Sequence, residues 1–197
     1  MRARVAIPLG AAVLAVLAVG SWLLFLRPQP RPATFRGEPT SALYSLIDSR
    51  QRDAAPLTVG EVFTPATETL GPLRRESAEQ LADCDDALWG ASAAGCTQAL
   101  RATYAGGSGA GQFVIFNLTD GRAANALVKA LAKDGFVRQA VPFDAEHSRA
   151  QARALGHYVT VAWAGPVRPG EAGDLMSQLL ALDGLGHIIQ KRVVAAT

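Results

Sequence analysis

The sequence predicts an α+β protein in which a transmembrane helix precedes a ferredoxin-like sandwich, a largely antiparallel sheet with helices on one face. The uncharged run Val5–Leu26 predicts the first part, because as a helix it would rise about 33 Å and cross a hydrocarbon core of about 30 Å. Apolar patterns from Thr97 onward predict the second part. After one extra strand, they follow in the order β-α-β, β-α-β.

The apolar run itself has two interpretations. Arginines at its start and the small residues Ala18–Gly20 are also typical of a cleaved signal peptide. The run continues past that position through Trp22 to Leu26, which favours an uncleaved, single-pass anchor in the plasma membrane. We therefore expect residues 1–4 in the cytoplasm and residues 5–26 in contact with the lipid bilayer.

The charge balance argues against nucleic acid as a partner. The chain has 19 Lys and Arg against 17 Asp and Glu, a net charge of +2. Nucleic-acid binding usually requires a clustered basic surface. The flanks of the apolar run are both basic, so charge alone does not set the orientation of the chain across a membrane.

The cysteines are more informative about the compartment. Cys84 and Cys96 are the two cysteines of the sequence. Their close spacing suits one disulfide around a small loop in an oxidising compartment, although two unrelated buried thiols remain an alternative. Together with the short amino-terminal flank, the pair favours a location outside the cytoplasm for the domain that follows the anchor.

The first part of that domain is expected to be helical. Residues 27–39 contain four prolines and predict a semi-rigid spacer, after which residues 40–197 form the extracytoplasmic α+β domain. Within residues 40–95, apolar spacing predicts a helix from Thr40 or Ser41 to about Asp53 and a second helix over Glu76–Trp89. Pro56–Phe63 is interpreted as either a short strand or a brief helix.

The second part, residues 97–197, is expected to contain the sheet core. Strands are predicted over 97–105, 112–118, 136–141 and 157–164, with helices after Asp120 and Pro169, a loop or short helix over 144–155, and a final strand or amphipathic tail over 187–194. The apolar stripes predict these core residues: Phe113, Ile115, Leu127, Leu131, Val159, Val161 and Leu179.

The sequence assigns no catalytic residue, no cofactor site and no metal site. The glycines around Ser108 are typical of a flexible hairpin rather than a phosphate loop or a nucleophile elbow. Asp144, His147 and Ser148 are neighbours in a polar segment, and the histidines lack the spacing of a zinc site. The aspartates that follow Leu81 are interpreted as a solvated acidic face. Cys84 and Cys96 are thus the assigned site residues, as a disulfide.

Three landmarks behind the apolar run resemble a known group. They are P-L-T-x-x-E-V-F at Pro56–Phe63, then Cys84, then G-C-x-x-x-L-R-A-x-Y at Gly95–Tyr104. In this order they resemble uncharacterised, exported, single-pass membrane proteins of actinobacteria. The resemblance implies a protein of the cell envelope and no particular activity.

We therefore expect a non-enzymatic, membrane-tethered binding or interaction domain with a protein partner in the membrane or envelope. Two alternatives stay open, an accessory subunit of a larger membrane complex and an enzyme acting on the envelope. A cleft that collects two or more of Asp144, His147, His157 and the aspartates near Cys84 would support the enzyme.

Overall fold

A computed structural model describes residues 29–170 and 173–197. The strands of this part are β1 (Thr34–Glu38), β2 (Thr69–Leu70), β3 (Leu73–Gln80), β4 (Leu88–Trp89), β5 (Gln98–Gly106), β6 (Gly109–Asn117), β7 (Phe136–Val137), β8 (Arg149–Leu155) and β9 (Tyr158–Pro166). The α-helices are α1 (Val59–Val62), α2 (Gly121–Lys133), α3 (Leu175–Asp183) and α4 (His187–Ala195). Short 3-10 helices lie at Ser41–Ile47, Pro65–Thr67, Asp85–Ala87, Ala145–His147 and Gly184–Gly186.

A mixed sheet of seven strands organises the fold, in the order β1-β8-β9-β6-β5-β3-β2, and β4 and β7 form a separate two-stranded sheet. The β1–β8 pair is parallel, and the other pairs of the large sheet are antiparallel. The central strand β6 is buried along its whole length. The apolar run Phe113–Leu118 therefore lies where the sequence predicted a central strand.

Both faces of the sheet are covered by helices. On one face, Val114 and Phe116 of β6 belong to a core that includes Leu127 and Leu131 of α2. On the other face, Phe113 and Ile115 belong to a core completed by these residues of α3, α4 and the turn between them: Leu179, Leu182, Leu185 and Ile189. Every residue of the predicted core is buried, and these residues are divided between the cores on the two faces of the sheet.

The predicted ferredoxin-like sandwich is therefore wrong. A strand with large apolar side chains on both faces needs cover on both sides, which a sheet with helices on one face does not provide. The preceding transmembrane helix also has no counterpart in the described fold. No helix within residues 29–170 and 173–197 is long and apolar enough to cross a membrane, and the run Val5–Leu26 lies outside these residues.

The segment expected to be the helix Glu76–Trp89 is not an α-helix: it begins within β3 and continues as a turn, a short 3-10 helix and β4. Residues 73–80 form β3, which pairs antiparallel with β5. Ser77 and Thr103 join their hydroxyls across this pair at 2.8 Å, and Glu79 accepts two hydrogen bonds from Arg101. These cross-strand contacts stabilise residues 73–80 as a strand once β5 lies alongside. Their contribution outweighs the helical spacing of a few apolar residues.

Other segments between residues 40 and 95 are also shorter than the predicted helices. A 3-10 helix covers Ser41–Ile47, and α1 is a single turn within Pro56–Phe63. Thr58 and Glu61 form a reciprocal capping box around α1, which decides the open choice at this segment in favour of a brief helix.

The end of the expected spacer is part of the domain. Thr34–Glu38 forms the edge strand β1, paired in parallel with β8. Just before it, the Arg31 guanidinium donates to the carbonyls of Leu131 and Ala132 at the carboxyl end of α2 and lies 5.6 Å from the ring centre of Trp89. A cation at this end of a helix is electrostatically favourable.

The last third of the chain differs from the sequence interpretation in two places. Residues 144–155, expected to be a loop or short helix, include a short 3-10 helix and the strand β8. The segment interpreted as a strand or an amphipathic tail forms α4. The predicted strand over 136–141 is reduced to Phe136–Val137, which pairs with β4.

Candidate binding cleft

The predicted disulfide between Cys84 and Cys96 is confirmed. Their Cα atoms are 6.3 Å apart, and the two residues are separated by 12 positions in sequence. The bond joins the turn after β3 to the segment just before β5, rather than a long helix to a strand. It therefore closes a compact loop beside the large sheet.

The aspartates in this loop have structural partners. The Asp85 carboxylate accepts from the Ala93 amide at 2.8 Å and from the Ser92 hydroxyl at 2.7 Å. Asp83 accepts from the Asp85 amide at 2.8 Å. Within residues 29–170 and 173–197, no group of three or more His, Cys, Asp or Glu side chains is placed to hold a metal ion.

Asp144, His147 and Ser148 do not form a triad. His147 contacts the Asp144 carboxylate at 2.6 Å, and its side chain is 62% exposed. The Ser148 hydroxyl donates to the Ala145 carbonyl and accepts from the indole of Trp163, both at 2.7 Å. Ser148 therefore satisfies a buried tryptophan instead of serving as a nucleophile. Ser108 lies in the turn between β5 and β6, the hairpin that the sequence predicted.

A polar cleft lies where β6 ends and α2 begins. It has two adjoining parts, of about 640 and 390 Å³, which share Ser49, Gln51 and Asp120. The larger part is lined in addition by Ser41, Ala42, Ser45, Asp48, Arg52, Gly121 and Arg122, and the smaller part by Arg50, Ala54 and Thr119. We call the side formed by residues 47–54 the cleft wall.

Backbone hydrogen bonds fix this wall to the junction between β6 and α2. The Arg50 amide donates to the Thr119 carbonyl at 3.0 Å, and the Gly121 amide donates to the Asp48 carbonyl at 2.8 Å. Asp120 begins α2 by accepting from the Ala123 amide at 2.8 Å. A side chain at position 121 would crowd Ser41, since a Cβ there would lie 2.9 Å from its hydroxyl.

The three arginines of the cleft differ in their hydrogen-bond and ion-pair partners. Arg50 donates to the Gly95 carbonyl and to the Thr97 hydroxyl, at 3.2 and 2.6 Å. Arg52 donates to the Ser45 carbonyl at 3.0 Å and lies 3.6 Å from the Asp48 carboxylate. The exposed side chain of Arg122 has no hydrogen bond or ion pair within the described part of the chain. A cation is thus available at the mouth of the cleft, beside serine hydroxyls.

A buried polar cluster supports the wall from beneath. His157 is fully buried, and both its backbone amide and its Nδ1 contact the Ile47 carbonyl, at 3.0 and 2.8 Å. The neighbouring Tyr158 hydroxyl donates to Asp53 at 2.8 Å, and Arg192 of α4 donates to the same carboxylate at 2.7 Å. Burial lowers the pKa of His157, and burial together with the Asp53 carboxylate raises the pKa of Tyr158.

The cleft does not gather the residues that would have supported an enzyme. Asp144 and His147 contact each other, the aspartates near Cys84 lie in the disulfide loop, and His157 lies under the wall rather than on its surface. Sequence reasoning also missed the cleft. The signal available was the run of polar side chains over residues 48–53, which was interpreted as the end of the helix predicted to reach about Asp53.

No protein-family model, no curated protein and no solved structure matches this chain at a significant level.

Proposed function

We propose that this protein is a non-enzymatic, membrane-tethered binding domain that works outside the cytoplasm and holds its ligand in the cleft between the wall and α2. The polar cleft is the observation that carries the proposal. It combines a concave surface with hydroxyl, amide, carboxylate and guanidinium groups, which can bind the polar and charged groups of a ligand.

The lining groups favour a ligand that carries a carboxylate beside hydroxyl groups. The guanidinium of Arg122 suits the carboxylate, because it presents a planar fork of donors that has no partner among the described residues. Ser45, Ser49 and Gln51 can donate to and accept from ligand hydroxyls. An acidic sugar of the cell envelope has this chemistry.

Two features support the location. A disulfide such as Cys84–Cys96 persists in oxidising compartments, which lie outside the cytoplasm. The uncharged run Val5–Leu26, outside the described residues, provides the apolar sequence that would hold the domain at a bilayer. We expect the protein partner of this domain in the same membrane or envelope.

Ligand titration of an arginine variant tests the proposal. We expect the full chain, in detergent, to bind a uronic-acid oligosaccharide and to bind the matching neutral oligosaccharide more weakly. Arg122→Gln removes a charged hydrogen-bond donor and should raise the Kd about tenfold. The measurement is isothermal titration calorimetry at neutral pH.

Arg149→Gln is the matched control for this titration. Arg149 is also exposed, at the start of β8, and it does not line the cleft. Its Kd should remain that of the unchanged chain. Equal losses in both variants, or equal binding of acidic and neutral sugars, would contradict the assignment of Arg122 to the carboxylate.

A further inference from the structure

The contact between His157 and the cleft wall has a defined protonation state. A backbone carbonyl only accepts hydrogen bonds, so the 2.8 Å contact with the Ile47 carbonyl places the proton of the neutral ring on Nδ1. The other ring nitrogen, Nε2, is buried and has no hydrogen-bond partner within residues 29–170 and 173–197. A second proton would therefore create a charged N–H with no acceptor in a desolvated site.

Burial is the main reason why His157 is neutral in the closed wall, because it lowers the pKa of the ring more than any other contribution. Arg50 in the wall and Arg192 on α4 repel a proton on the ring, and burial opposes the charge more strongly than either. The Ile47 carbonyl and the Asp53 carboxylate favour the protonated ring, but burial outweighs them, and the carboxylate is already occupied by Arg192 and by the Tyr158 hydroxyl.

Two neighbours on the strands bring no further charge. The Tyr158 ring lies 4.0 Å from the imidazole, and the Leu118 amide binds the His157 carbonyl. The closed wall is thus compatible with a neutral His157 and poorly compatible with a protonated one.

We propose that His157 is a pH-sensitive latch of the cleft: the neutral ring holds the wall closed against β6 and α2, and the protonated ring releases it. His157 is coupled to the wall because Ile47, at the start of the wall, accepts from both its ring and its backbone amide. Acid thereby opens the cleft. The consequence for ligand binding rests on the proposed function, whereas the opening itself does not.

Hydrogen exchange measures the opening without any ligand. In the full chain, the amides of Arg50 and Gly121 report the wall, since their carbonyl partners lie across its contact with β6 and α2. The open wall exposes His157, whose ordinary pKa is 6.5, whereas burial holds the pKa lower in the closed wall. Protons therefore bind the open form preferentially below pH 6.5.

Acid is therefore expected to reduce the protection of the wall amides against hydrogen exchange. After correction for intrinsic exchange, protection of these amides should be constant above this pH and should fall by up to tenfold per pH unit below it. Protection that stays constant from about pH 7.5 to about pH 5, a range that spans the ordinary histidine value, would overturn the latch.

Histidine variants isolate the residue responsible. His157→Asn keeps an amide donor for the Ile47 carbonyl and does not titrate, so protection of the wall should become independent of pH. His147→Asn is the matched control, because His147 is exposed and contacts Asp144 away from the wall; its pH dependence should be that of the unchanged chain. A pH dependence that persists in His157→Asn would assign the opening to another group.

An NMR titration of the unchanged chain keeps the inference testable if His157→Asn does not fold. The ring resonance of His157 should titrate with a midpoint below 6.5, and a midpoint at or above 6.5 would overturn the latch. Failure of either experiment leaves the sugar titration at neutral pH intact, so the latch and the proposed binding function fail separately.

Discussion

Ser148 illustrates how single polar residues serve the core of this fold. Its hydroxyl accepts from the indole of Trp163, a fully buried side chain at the centre of one core, and donates to the Ala145 carbonyl. Phe136 and Phe143 pack edge-on against the same indole, with ring centres 5.0 Å away. The serine thus allows a tryptophan to be buried without leaving its N–H unpaired.

Ser148→Ala should therefore destabilise the protein more than an ordinary surface change. The substitution leaves the Trp163 N–H buried without its acceptor, and we expect a loss of about 1–3 kcal/mol in the free energy of unfolding. Chemical denaturation measures it. Ser45→Ala is the control, because the Ser45 hydroxyl is exposed and has no hydrogen bond within the described part of the chain, and the expected change is less than about 0.5 kcal/mol. Equal effects of the two variants would refute the role given to Ser148.

At the scale of elements, the disulfide loop and the β3–β5 pair stabilise each other. Cys84 and Cys96 tie the turn after β3 to the start of β5, and Asp85 fills the loop with hydrogen bonds to Ser92 and Ala93. The loop also supports the smaller sheet, because the Arg138 amide after β7 donates to the Ala87 carbonyl at 2.7 Å.

Reduction of the Cys84–Cys96 bond should lower the Tm without abolishing the fold. For a loop of about this length, the chain-entropy contribution is roughly 3 kcal/mol, smaller than the stability available from two large cores. Differential scanning fluorimetry with and without reductant measures the shift, and a Cys84→Ser, Cys96→Ser double variant should reproduce it without reductant. An unchanged Tm would show that the loop is held by its other contacts.

At the scale of the whole molecule, the two ends of α2 have different roles. Arg31 binds the carboxyl end of α2, so the chain preceding the sheet leaves the domain there, while the cleft lies at the amino end. A helix of 13 residues separates the two sites by about 20 Å. Arg31 therefore lies far from the proposed ligand site.

Topology reporters test the proposed location of the whole domain. We expect a carboxyl-terminal alkaline phosphatase fusion to be active and a carboxyl-terminal green fluorescent protein fusion, exported in unfolded form, to be dark. The physical basis is the disulfide, which requires an oxidising compartment. The opposite pair of readings would place the domain in the cytoplasm and remove the main support for an envelope ligand.

An exposed apolar pair on α3 keeps the alternative of an accessory subunit open. Met176 and Leu180 are 50% and 56% exposed, and their spacing places them on one face of the helix. They lie on the side of the sheet opposite α2.

The sequence by itself determined the elements whose signals are local. The strands β5, β6 and β9 alternate or are apolar throughout, and α2 has both an aspartate cap and an apolar stripe of helical period. The spacing of Cys84 and Cys96 was likewise sufficient to predict their bond. In these segments, the secondary structure favoured by a few adjacent residues is the one that the folded protein contains.

Only the tertiary structure decided the rest. Residues 73–80 became a strand because β5 offered partners for Ser77 and Glu79, and Thr34–Glu38 became one because β8 lies beside it. The cleft depends on contacts between residues far apart in sequence, such as Arg50 with Thr119 and His157 with Ile47. Local periodicity carries no information about such pairings, since their stabilisation appears only once distant segments meet.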